Sequence, residues 1–419
     1  MQIYGDVSSG KDVFNLIAKE EVRQRESLEL IASENFASRA VLAAMGTVLN
    51  NRYAEGYPGN RYYGGQEYLD QIEELAITRA KGLFRSRHAN VQPHSGASAN
   101  VAAYFAVAKP GDTIMGMDLS HGGHLTHGDP VTHIAKLFKF CRYRMADTAS
   151  GAIDYDAMRD MARSTRPRII LAGYSAYPRE MDYKIMREIA DEVGAVAMAD
   201  VAHTAGLIVG GVLKNPLDYG FDILLSTTHK TLRGPRGGLI VAATEEFGRA
   251  VDRSVFPSFQ GGPIMQNIAA KAVAFEEAST AAFKRYAAMV LANAKELAKQ
   301  LMDRGVTLVT NGTDNHLILI DSVASWGITG GQAQGIADAA GITLNKNRIP
   351  DDPRNAQNPS GVRIGTPALT SRGLLPHHMA VVADFLVNAM ASKDLYGASV
   401  LRPDVAEFAR MFPLPGMDS

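Results

Sequence analysis

Four polar residues stand where predicted strands end, and together they could act on a carbonyl compound: Ser175, Asp200, His203 and Lys230. In open α/β sheets, ligands bind beyond the carboxyl ends of the strands. A lysine desolvated in such a place has a lowered pKa, and its neutral amine attacks an aldehyde carbon to form a Schiff base. For any carboxylate and lysine taken alone, an ordinary ion pair is the alternative. The grouping predicts a site for an aldehyde-bearing ligand at Lys230.

The segment STTHKTLRGPRGG around Lys230 suits a bulky, anionic ligand. Its glycines let the backbone come close, and Arg236 adds a fixed cation. Asp200 suits the pyridinium nitrogen of pyridoxal phosphate, because two unit charges about 4 Å apart at an effective dielectric of about 20 interact by roughly 4 kcal/mol. Such a carboxylate would keep the ring protonated. These residues predict pyridoxal 5'-phosphate as the cofactor.

The segment HSGASAN (94–100) opens an alanine-rich stretch that predicts a helix over 97–108. The amides and the dipole at a helix N-terminus favour a dianion. A Ser-Gly turn before a helix is also typical of simple N-capping. We interpret this segment as the phosphate cradle.

The segment HGGHLTHG places His121, His124 and His127 at intervals of three. This spacing could hold a metal, but the glycines argue against a regular helix and no nearby Cys, Asp or Glu completes a ligand set. We therefore predict no metal, and we expect the flat imidazole of His124 to stack on the cofactor ring.

Two further segments each allow a functional and a plain interpretation. EGYPGNRYYGG (55–65) puts Glu55, Tyr62 and Tyr63 on a Gly/Pro-rich loop of the kind that carries function, although a solvated turn with packed tyrosines is the alternative. Arg363 in GVRIGTPA either forms a surface ion pair or grips a substrate carboxylate with its planar fork.

The elements that position these residues alternate between strand and helix from about residue 89 onwards, which predicts an α/β fold with a mostly parallel sheet. The clearest predicted elements are strand 168–176, helix 184–194, and strands 195–200, 221–229 and 237–244.

The two ends of the chain contribute other elements. An amphipathic helix over 11–31 is expected to form an N-terminal arm that leads into the turn at Ser33. A long alanine-rich helix is predicted over 266–304, with an apolar strand over 316–321 and a Pro/Asn-rich loop over 350–360 after it. We place a boundary near residue 280, which gives a large domain over 1–280 and a small C-terminal domain over 281–419.

Composition excludes several classes of function. The chain has 419 residues, of which 21 % are charged and 46 % apolar, as in ordinary globular proteins. A net charge of −1 argues against nucleic-acid binding. The single cysteine, Cys141, indicates a reducing compartment, and the cytoplasm is the default. No targeting segment is visible, and no run of apolar residues is long enough to span a membrane.

The chain resembles the serine hydroxymethyltransferase family along nearly its whole length. The matching motifs are IASEN, NRYAEGYPGNRYYGG, NVQPHSG, SHGGHLTHG, SAYP, DVAHTAGL, STTHKTLRGPRGG, QGGP and VRIGTPA. The resemblance implies the fold-type I aminotransferase architecture, with a large cofactor domain and a small C-terminal domain. It also implies a homodimer, or a tetramer built from it, in which active sites are shared between two subunits.

The resemblance implies cofactor roles for the matching residues. Lys230 would form the Schiff base, Asp200 would pair with the ring nitrogen, and His124 would stack on the ring. His203 and Ser175 would approach the phenolic oxygen. The remaining cofactor contacts would be Ser95, Gly96, His229 and Arg236, with Tyr53 and Gly262 from the neighbouring subunit.

For the substrates, the resemblance implies that the Cα–Cβ bond of serine breaks and that the one-carbon unit passes to tetrahydrofolate. Ser33 and Arg363 would hold the amino-acid carboxylate. Glu55, presented across the interface, would be the acid/base carboxyl beside the substrate hydroxyl, and Tyr63 would also bind the substrate. The residues implied in catalysis are Lys230, Glu55, His124 and Tyr63, and those implied in folate binding are Leu119, Gly123, Leu125, Tyr62 and Asn347.

The chain departs from the family pattern at several positions. Where the family commonly has Pro-Phe-Val-Thr-Ser-Gly, this chain reads Gln357-Asn358-Pro359-Ser360-Gly361, without the aromatic residue that lines the folate pocket. Ala97 replaces a phosphate-binding serine, so we expect weaker cofactor binding. The other unusual residues are Thr204, Ser258, Phe259 and Gln266.

These departures leave the substrate open. One hypothesis is the serine and tetrahydrofolate transferase that the resemblance implies. The second places a methyl group on Cα, so that α-methylserine yields alanine in a folate-dependent transferase or a folate-independent aldolase. A non-catalytic binding protein that retains the fold is a third hypothesis, and the presence of Glu55, Asp200, His203, Lys230 and Arg363 argues against it.

Overall fold

Seven strands form the central sheet of the protein, in a computed structural model that describes residues 10–418. The strands of the chain are β1 (Leu28–Glu29), β2 (Gly56–Tyr57), β3 (Asn60–Arg61), β4 (His88–Asn90), β5 (Thr113–Met117), β6 (Lys139–Tyr143), β7 (Met145–Asp147), β8 (Ala152–Ile153), β9 (Ile169–Gly173), β10 (Val196–Asp200), β11 (Ile223–Thr227), β12 (Gly238–Ala242), β13 (Leu317–Asp321), β14 (Ile342–Thr343), β15 (Asn345–Asn347) and β16 (Gly361–Gly365).

The central sheet has the order β4-β12-β11-β10-β9-β5-β6. Its strands pair in parallel from β11 to β6, whereas β12 is antiparallel to both β11 and β4. Every residue of β9 and of β11 is buried, as expected for a sheet that is covered on both faces. The prediction of an α/β fold with a mostly parallel sheet is confirmed.

Helices cover the sheet and build a second layer around the C-terminal strands. They are α1 (Lys11–Arg25), α2 (Arg39–Met45), α3 (Glu67–Phe84), α4 (Gly96–Val107), α5 (Ile134–Leu137), α6 (Tyr155–Thr165), α7 (Tyr183–Val193), α8 (Ala205–Val209), α9 (Glu245–Arg253), α10 (Met265–Ala278), α11 (Ala281–Asp303), α12 (Ser322–Trp326), α13 (Gly330–Ala340), α14 (Pro367–Ser371), α15 (Met379–Ser392), α16 (Leu395–Ser399) and α17 (Arg402–Arg410).

A smaller antiparallel sheet, in the order β13-β16-β15, lies in the C-terminal part of the chain. Its apolar side chains join those of α11, α13 and α15 in a hydrophobic cluster of their own. The helix α11 begins at Ala281, but the domain boundary near residue 280 stays a prediction.

Two predicted helices have different bounds in the structure. The helix expected over 11–31 ends at Arg25, because Leu28 and Leu30 turn to pair with the C-terminal strand β14. The helix expected over 266–304 is two helices, because Thr280 begins α11 and its side chain accepts a hydrogen bond from the amide of Phe283. Both breaks depend on contacts that the hydrophobic pattern does not encode.

No helix within residues 10–418 is both long and apolar enough to cross a bilayer. The stretch from which we predict the absence of a targeting segment begins in residues 1–9, which lie outside the described residues. The cytoplasmic location stays a prediction.

The buried side chain of Arg372 links segments near both ends of the described chain. The side chain of Arg372 is 1 % exposed, and its guanidinium donates hydrogen bonds to backbone carbonyl groups at the C-terminal ends of α1 and α17. Those carbonyl groups belong to Gln24, Arg25, Ser27, Ala409 and Phe412. A cation is favourable there because carbonyl groups at a helix C-terminus lack partners within the helix.

We expect Arg372→Met to lower the free energy of unfolding by about 3 kcal/mol, because several buried carbonyl groups lose a charged donor. Urea denaturation followed by circular dichroism measures the change. Arg163→Met is the matched control, since its side chain is 59 % exposed, and we expect a change within about 0.5 kcal/mol. Equal stability of the two variants would contradict this role for Arg372.

Candidate active site

A cavity of about 480 Å³ lies beyond the carboxyl ends of the central strands and is lined on its other side by residues of the C-terminal sheet. Many of the residues singled out in the sequence line it together. They are Ser33, Leu119, Gly123, His124, Leu125, Ser175, His203, His229, Lys230, Arg236, Asn347 and Arg363. The structure therefore brings residues from both sheets and from the N-terminal segment to one place.

Lys230 follows β11 in a tight turn, in which the amide of Gly234 donates to the carbonyl oxygen of Thr228 at 2.7 Å. Burial lowers the pKa of the Lys230 amine to about 8, although the negative charge of Asp200 opposes this and the positive charge of Arg363 supports it. An amine with such a pKa has an appreciable neutral fraction near physiological pH, whereas an ordinary lysine has almost none. Lys230 is thus suited to attack an aldehyde carbon.

Asp200, at the end of β10, lies beneath the cavity in a network of hydrogen bonds. Its Oδ2 atom accepts from the Nδ2 atom of Asn100 at 2.9 Å and contacts the Nε2 atom of His127 at 3.0 Å. Burial opposes ionisation of Asp200, but the hydrogen bond from His127 and the nearby positive charges hold its pKa well below the usual range. Asp200 is therefore a fixed, buried negative charge.

The three histidines of HGGHLTHG lie in two short 3-10 turns and have separate partners. His121 bonds Asp351 through Nε2 at 3.1 Å, and His127 bonds Asp200. His124 lines the cavity, and burial together with the charge of His127 lowers its pKa to about 4. Within residues 10–418, no group of three His, Cys, Asp or Glu side chains is arranged to hold a metal.

Arg363 lies on β16 and is 9 % exposed. Its guanidinium donates to the carbonyl oxygen of Ser175 at 2.7 Å, to the Oδ1 atom of Asn345 at 3.1 Å and to the hydroxyl of Ser33 at 3.4 Å. All three acceptors are neutral. Burial lowers its pKa to about 10, so Arg363 stays charged at neutral pH and can still bind a carboxylate in the cavity.

His229 carries an unsatisfied polar atom into the same region. Its Nδ1 atom is buried and has no hydrogen-bond partner among residues 10–418. Burial and the charges of Lys230 and Arg236 lower the pKa of its imidazole to about 3. A buried nitrogen without a partner is costly in a folded protein unless a ligand satisfies it.

The N-terminus of α4 abuts this region but does not line the cavity. Ser95 caps α4, since its hydroxyl accepts from the amide of Ser98 at 3.1 Å. A Cβ atom added at Gly96 would lie 2.7 Å from Cγ2 of Thr227, which is two residues before His229. Only glycine allows this close approach of the helix to the strand end.

The fully buried Lys271 bonds backbone segments near the N-terminus of α4. The Nζ atom of Lys271 donates to the carbonyl oxygens of Val91, Gly238 and Pro93, at 2.6, 2.8 and 3.3 Å. Burial lowers its pKa to about 7. Lys271 thus joins the loop before Ser95 to the start of β12.

These residues fit pyridoxal 5'-phosphate. A lysine with a lowered pKa suits its aldehyde, the ionised Asp200 suits its ring nitrogen, and the unsatisfied nitrogen of His229 with the cation of Arg236 suits its phosphate.

A second group of predicted residues lies away from the cavity, on the surface of the chain. The backbone of Gly261 and Gly262 packs against Glu55 and Tyr53, with the Glu55 Oε1 atom 3.3 Å from a Cβ position at Gly261. Tyr53 and Tyr63 form a ring pair with centroids 5.4 Å apart and are both largely exposed. The structure does not bring this group to Lys230 within one chain.

Tyr62 belongs to the same exposed loop, and its side chain is 74 % exposed. Its ring contacts Phe256, with the centroids 5.7 Å apart. Of the residues implied in folate binding, Tyr62 is thus separated from the four that line the cavity, Leu119, Gly123, Leu125 and Asn347.

Sequence reasoning missed several residues that the structure adds to the site. Asn100 and His127 hold Asp200, and His316 contacts His203 with its Nε2 atom 3.3 Å from Nδ1. Lys346 and Arg348 line the cavity. The regular spacing in HGGHLTHG could have suggested His127 as a partner for a strand-end carboxylate, but no local signal marks the others.

The departures from the family pattern named above lie outside the cavity. Ala356, which precedes the first of them on the same loop, does line it, whereas Gln357 and Asn358 are exposed. Ala97 is exposed on the first turn of α4, and Thr204 is 3 % exposed at the start of α8. The other departures contact neighbouring side chains: Phe259 pairs with Phe105, Gln266 donates to Asn50, and Ser258 donates to the carbonyl oxygen of Arg253.

One comparison with known families bears on this geometry. The family model described as serine hydroxymethyltransferase matches residues 7–386. The match includes every residue named above that lines the cavity.

Proposed function

The chain belongs to the serine hydroxymethyltransferase family, and on this premise we propose that it transfers the hydroxymethyl group of serine to tetrahydrofolate with pyridoxal phosphate bound at Lys230. At the level of the family, the protein is a pyridoxal-phosphate-dependent one-carbon transferase. The observation that carries the finer proposal is that a lysine of lowered pKa and a buried arginine bonded to neutral oxygens line one cavity.

The residues of the cavity and Asp200 would have separate roles in this reaction. Pyridoxal phosphate, when bound, supplies a protonated ring that draws electrons from the Cα–Cβ bond. Lys230 provides the amine that holds the cofactor, and Asp200 keeps a proton at the ring nitrogen. Arg363 and Ser33 bind the α-carboxylate of the amino acid and thereby set which bond at Cα is aligned for cleavage.

The exposed loop with Glu55 supports the proposal that two copies of the chain share their active sites. Glu55, Tyr53 and Gly262 form one surface group, which leaves the cavity of the same chain without an acid/base carboxyl from this loop. A second copy can present this group to the cavity. Glu55 of one subunit would then hold or release the proton of the substrate hydroxyl bound to the other.

Arg348 supports tetrahydrofolate as the acceptor, because folates carry carboxylates. It lines the cavity, and its Nε atom is buried without a hydrogen-bond partner among residues 10–418. The neighbouring carboxylates are engaged elsewhere, since Asp351 bonds His121 and Asp352 bonds Ser360. The Nη2 atom of Arg348 donates to the backbone carbonyl oxygen of Asp352 at 3.3 Å, but its side chain has no carboxylate partner in the described part of the chain, so the guanidinium can still bind a ligand carboxylate.

We expect Arg348→Met to raise the dissociation constant of 5-formyltetrahydrofolate roughly tenfold, because hydrogen bonds to charged groups contribute about 1.5–3 kcal/mol. Isothermal titration calorimetry in the presence of glycine measures it. A tetrahydropterin without glutamate should bind both proteins equally, and Arg354→Met, on the same loop but exposed, should bind folate normally. Equal folate binding by Arg348→Met and the wild type would contradict this assignment.

A second candidate substrate is α-methylserine, which would yield alanine. The observation that favours it is the small side chain of Ala356 in the cavity wall, at the loop where Gln357 and Asn358 are exposed. The loop thus contributes no aromatic side chain to the wall, and in this second proposal the space that this leaves accepts the added methyl group. A methyl group in a suitable pocket is worth about 1–3 kcal/mol, so a preference would be measurable.

The experiment compares L-serine with α-methyl-L-serine, each with and without tetrahydrofolate, and follows the release of glycine and alanine. Folate-stimulated glycine release from serine is the expected result. Alanine release from α-methylserine with little turnover of serine would replace the proposal by the second candidate. The effect of folate on that alanine release would then separate a transferase from an aldolase.

A further inference from the structure

A second buried histidine lies directly behind His203. His316 immediately precedes β13 of the C-terminal sheet and is fully buried. Its Nε2 atom is 3.3 Å from the Nδ1 atom of His203, and the two rings are 22° from parallel with centroids 5.5 Å apart. His203 lines the cavity, whereas His316 is not among the residues that line it.

We infer that His316 is a positioning residue that determines which ring nitrogen of His203 carries the proton, and thus what His203 presents to the ligand. The inference deepens the proposed function, because the ligand group that would meet His203 is the phenolic oxygen of pyridoxal phosphate. His316 itself would touch neither cofactor nor substrate.

The first step of the argument is that both rings are neutral. Burial lowers the pKa of His203 well below its usual range, and the charges of Lys230 and Arg363 lower it further. Burial and the same two charges lower the pKa of His316 to about 3. A neutral imidazole has one N–H and one bare nitrogen, so a hydrogen bond between a nitrogen of each ring contains a single proton.

The second step is that the position of this proton determines whether the Nε2 atom of His203 is a donor or an acceptor. If Nε2 of His316 donates, then Nδ1 of His203 is bare and its Nε2 carries a hydrogen that can be donated in the cavity. If Nδ1 of His203 donates, its Nε2 is bare and can only accept. In either arrangement, His316 sets the role of the one nitrogen of His203 that remains for a ligand.

The third step is that His316 is held rigidly enough to impose this choice. The preceding residue, Asn315, donates from Nδ2 to the hydroxyl of Tyr174 at 3.2 Å and to the carbonyl oxygen of Tyr177 at 3.1 Å. The carbonyl oxygen of His316 accepts from the amide of Thr366 at 3.2 Å. These bonds hold the backbone that carries the ring to the loop after β9 and to the end of β16.

The test compares His316→Gln with His316→Leu. Glutamine keeps a donor and an acceptor near the position of Nε2, whereas leucine keeps neither. The ratio of the two neutral forms of His203 is read from the ¹⁵N chemical shifts of its ring in the full-length protein, with and without pyridoxal phosphate. We expect one form to predominate in the wild type and in His316→Gln, and a mixture in His316→Leu.

With the cofactor bound, the titration midpoint of its visible absorbance band reports on the same change. We expect His316→Leu to move this midpoint by about one pH unit and to raise the dissociation constant of pyridoxal phosphate about tenfold, whereas His316→Gln stays within about threefold of the wild type. The matched control is His88→Leu, since His88 lies on β4 and bonds Asp252 away from the cavity.

The outcomes separate this inference from the proposed function. An unchanged ratio of His203 forms in His316→Leu would overturn the inference, whether or not the cofactor binds. Equal effects of leucine and glutamine on that ratio would also overturn it, because they would show that His316 acts only by filling space. A protein that never develops the visible band, but whose His203 ratio changes as expected, would refute the proposed function alone.

Discussion

Lys230→Ala is expected to abolish turnover and to remove the visible absorbance band that the protein forms with pyridoxal phosphate. The cavity contains one lysine at a strand end with a pKa lowered to about 8 by burial. Without its amine, the cofactor aldehyde has no covalent partner at that place. Absorbance spectra and glycine release from serine, recorded on the same preparations, measure both losses.

The pH dependence of cofactor capture is a second measurement of whether Lys230 holds the cofactor. Since the pKa of Lys230 is about 8 and not 10.5, its amine is mostly charged below pH 8 and mostly neutral above it. Capture of pyridoxal phosphate by the cofactor-free protein should therefore speed up as pH rises through 8 and level off about one unit above it. The sign follows because only the neutral amine attacks.

Lys214→Ala is the matched control for this experiment, because its side chain is 55 % exposed and lies outside the cavity. It should keep the band, the turnover and the pH profile of the wild type. A visible band that persists in Lys230→Ala would show that another residue holds the cofactor. Absence of the band in the wild type as well would favour the non-catalytic hypothesis.

Glu55→Gln is expected to retain the cofactor band but to lose a factor of about 10²–10⁴ in kcat, the usual contribution of a positioned acid or base. The substitution keeps the size of the side chain and removes only its ability to hold and release a proton. Glu55 lies on the surface group with Tyr53 and Gly262, so the loss depends on a second subunit that brings this group to the cavity.

Two further variants are compared with Glu55→Gln. Glu74→Gln, on the exposed face of α3, should have wild-type kcat. Glu34→Gln tests the carboxylate that lines the cavity within the same chain. If Glu34→Gln lost turnover while Glu55→Gln kept it, the acid/base role would belong to Glu34 and the assignment to Glu55 would be wrong.

Mixing the two inactive variants tests the shared site directly. In a dimer of one Lys230→Ala chain and one Glu55→Gln chain, one site has both substitutions and the other has neither, provided that Glu55 acts across the interface. Random exchange of subunits should therefore restore about a quarter of the wild-type activity. If Glu55 acts within its own chain, every site has one substitution and no activity returns.

Much of the central sheet could be predicted from the chain alone because its strands are short apolar runs bounded by glycine and polar residues. The strands β9, β10, β11 and β12 lie within the predicted segments, and their ends place Asp200 and Lys230 at one edge of the sheet. The sequence pattern does not predict the break between α10 and α11, because the alanine-rich pattern continues on both sides of the cap at Thr280.

The sequence by itself determined which residue types could meet a cofactor, since parallel strands bring their carboxyl ends together whatever else the chain does. It also determined, through the resemblance, the family to which the chain belongs. Only the tertiary structure decided which distant groups complete the site. His127 holds Asp200, His316 contacts His203, and Arg348 enters the cavity beside Arg363.

The physical reason is the range of the interactions concerned. The ends of the central strands are set by neighbours a few residues apart, so they leave a local pattern. The partner of His203 is 113 residues away along the chain, and its position depends on how the C-terminal sheet packs against the central one. The same packing sets the pKa of Lys230 and of Arg363, because burial is a property of the folded chain and not of any segment of it.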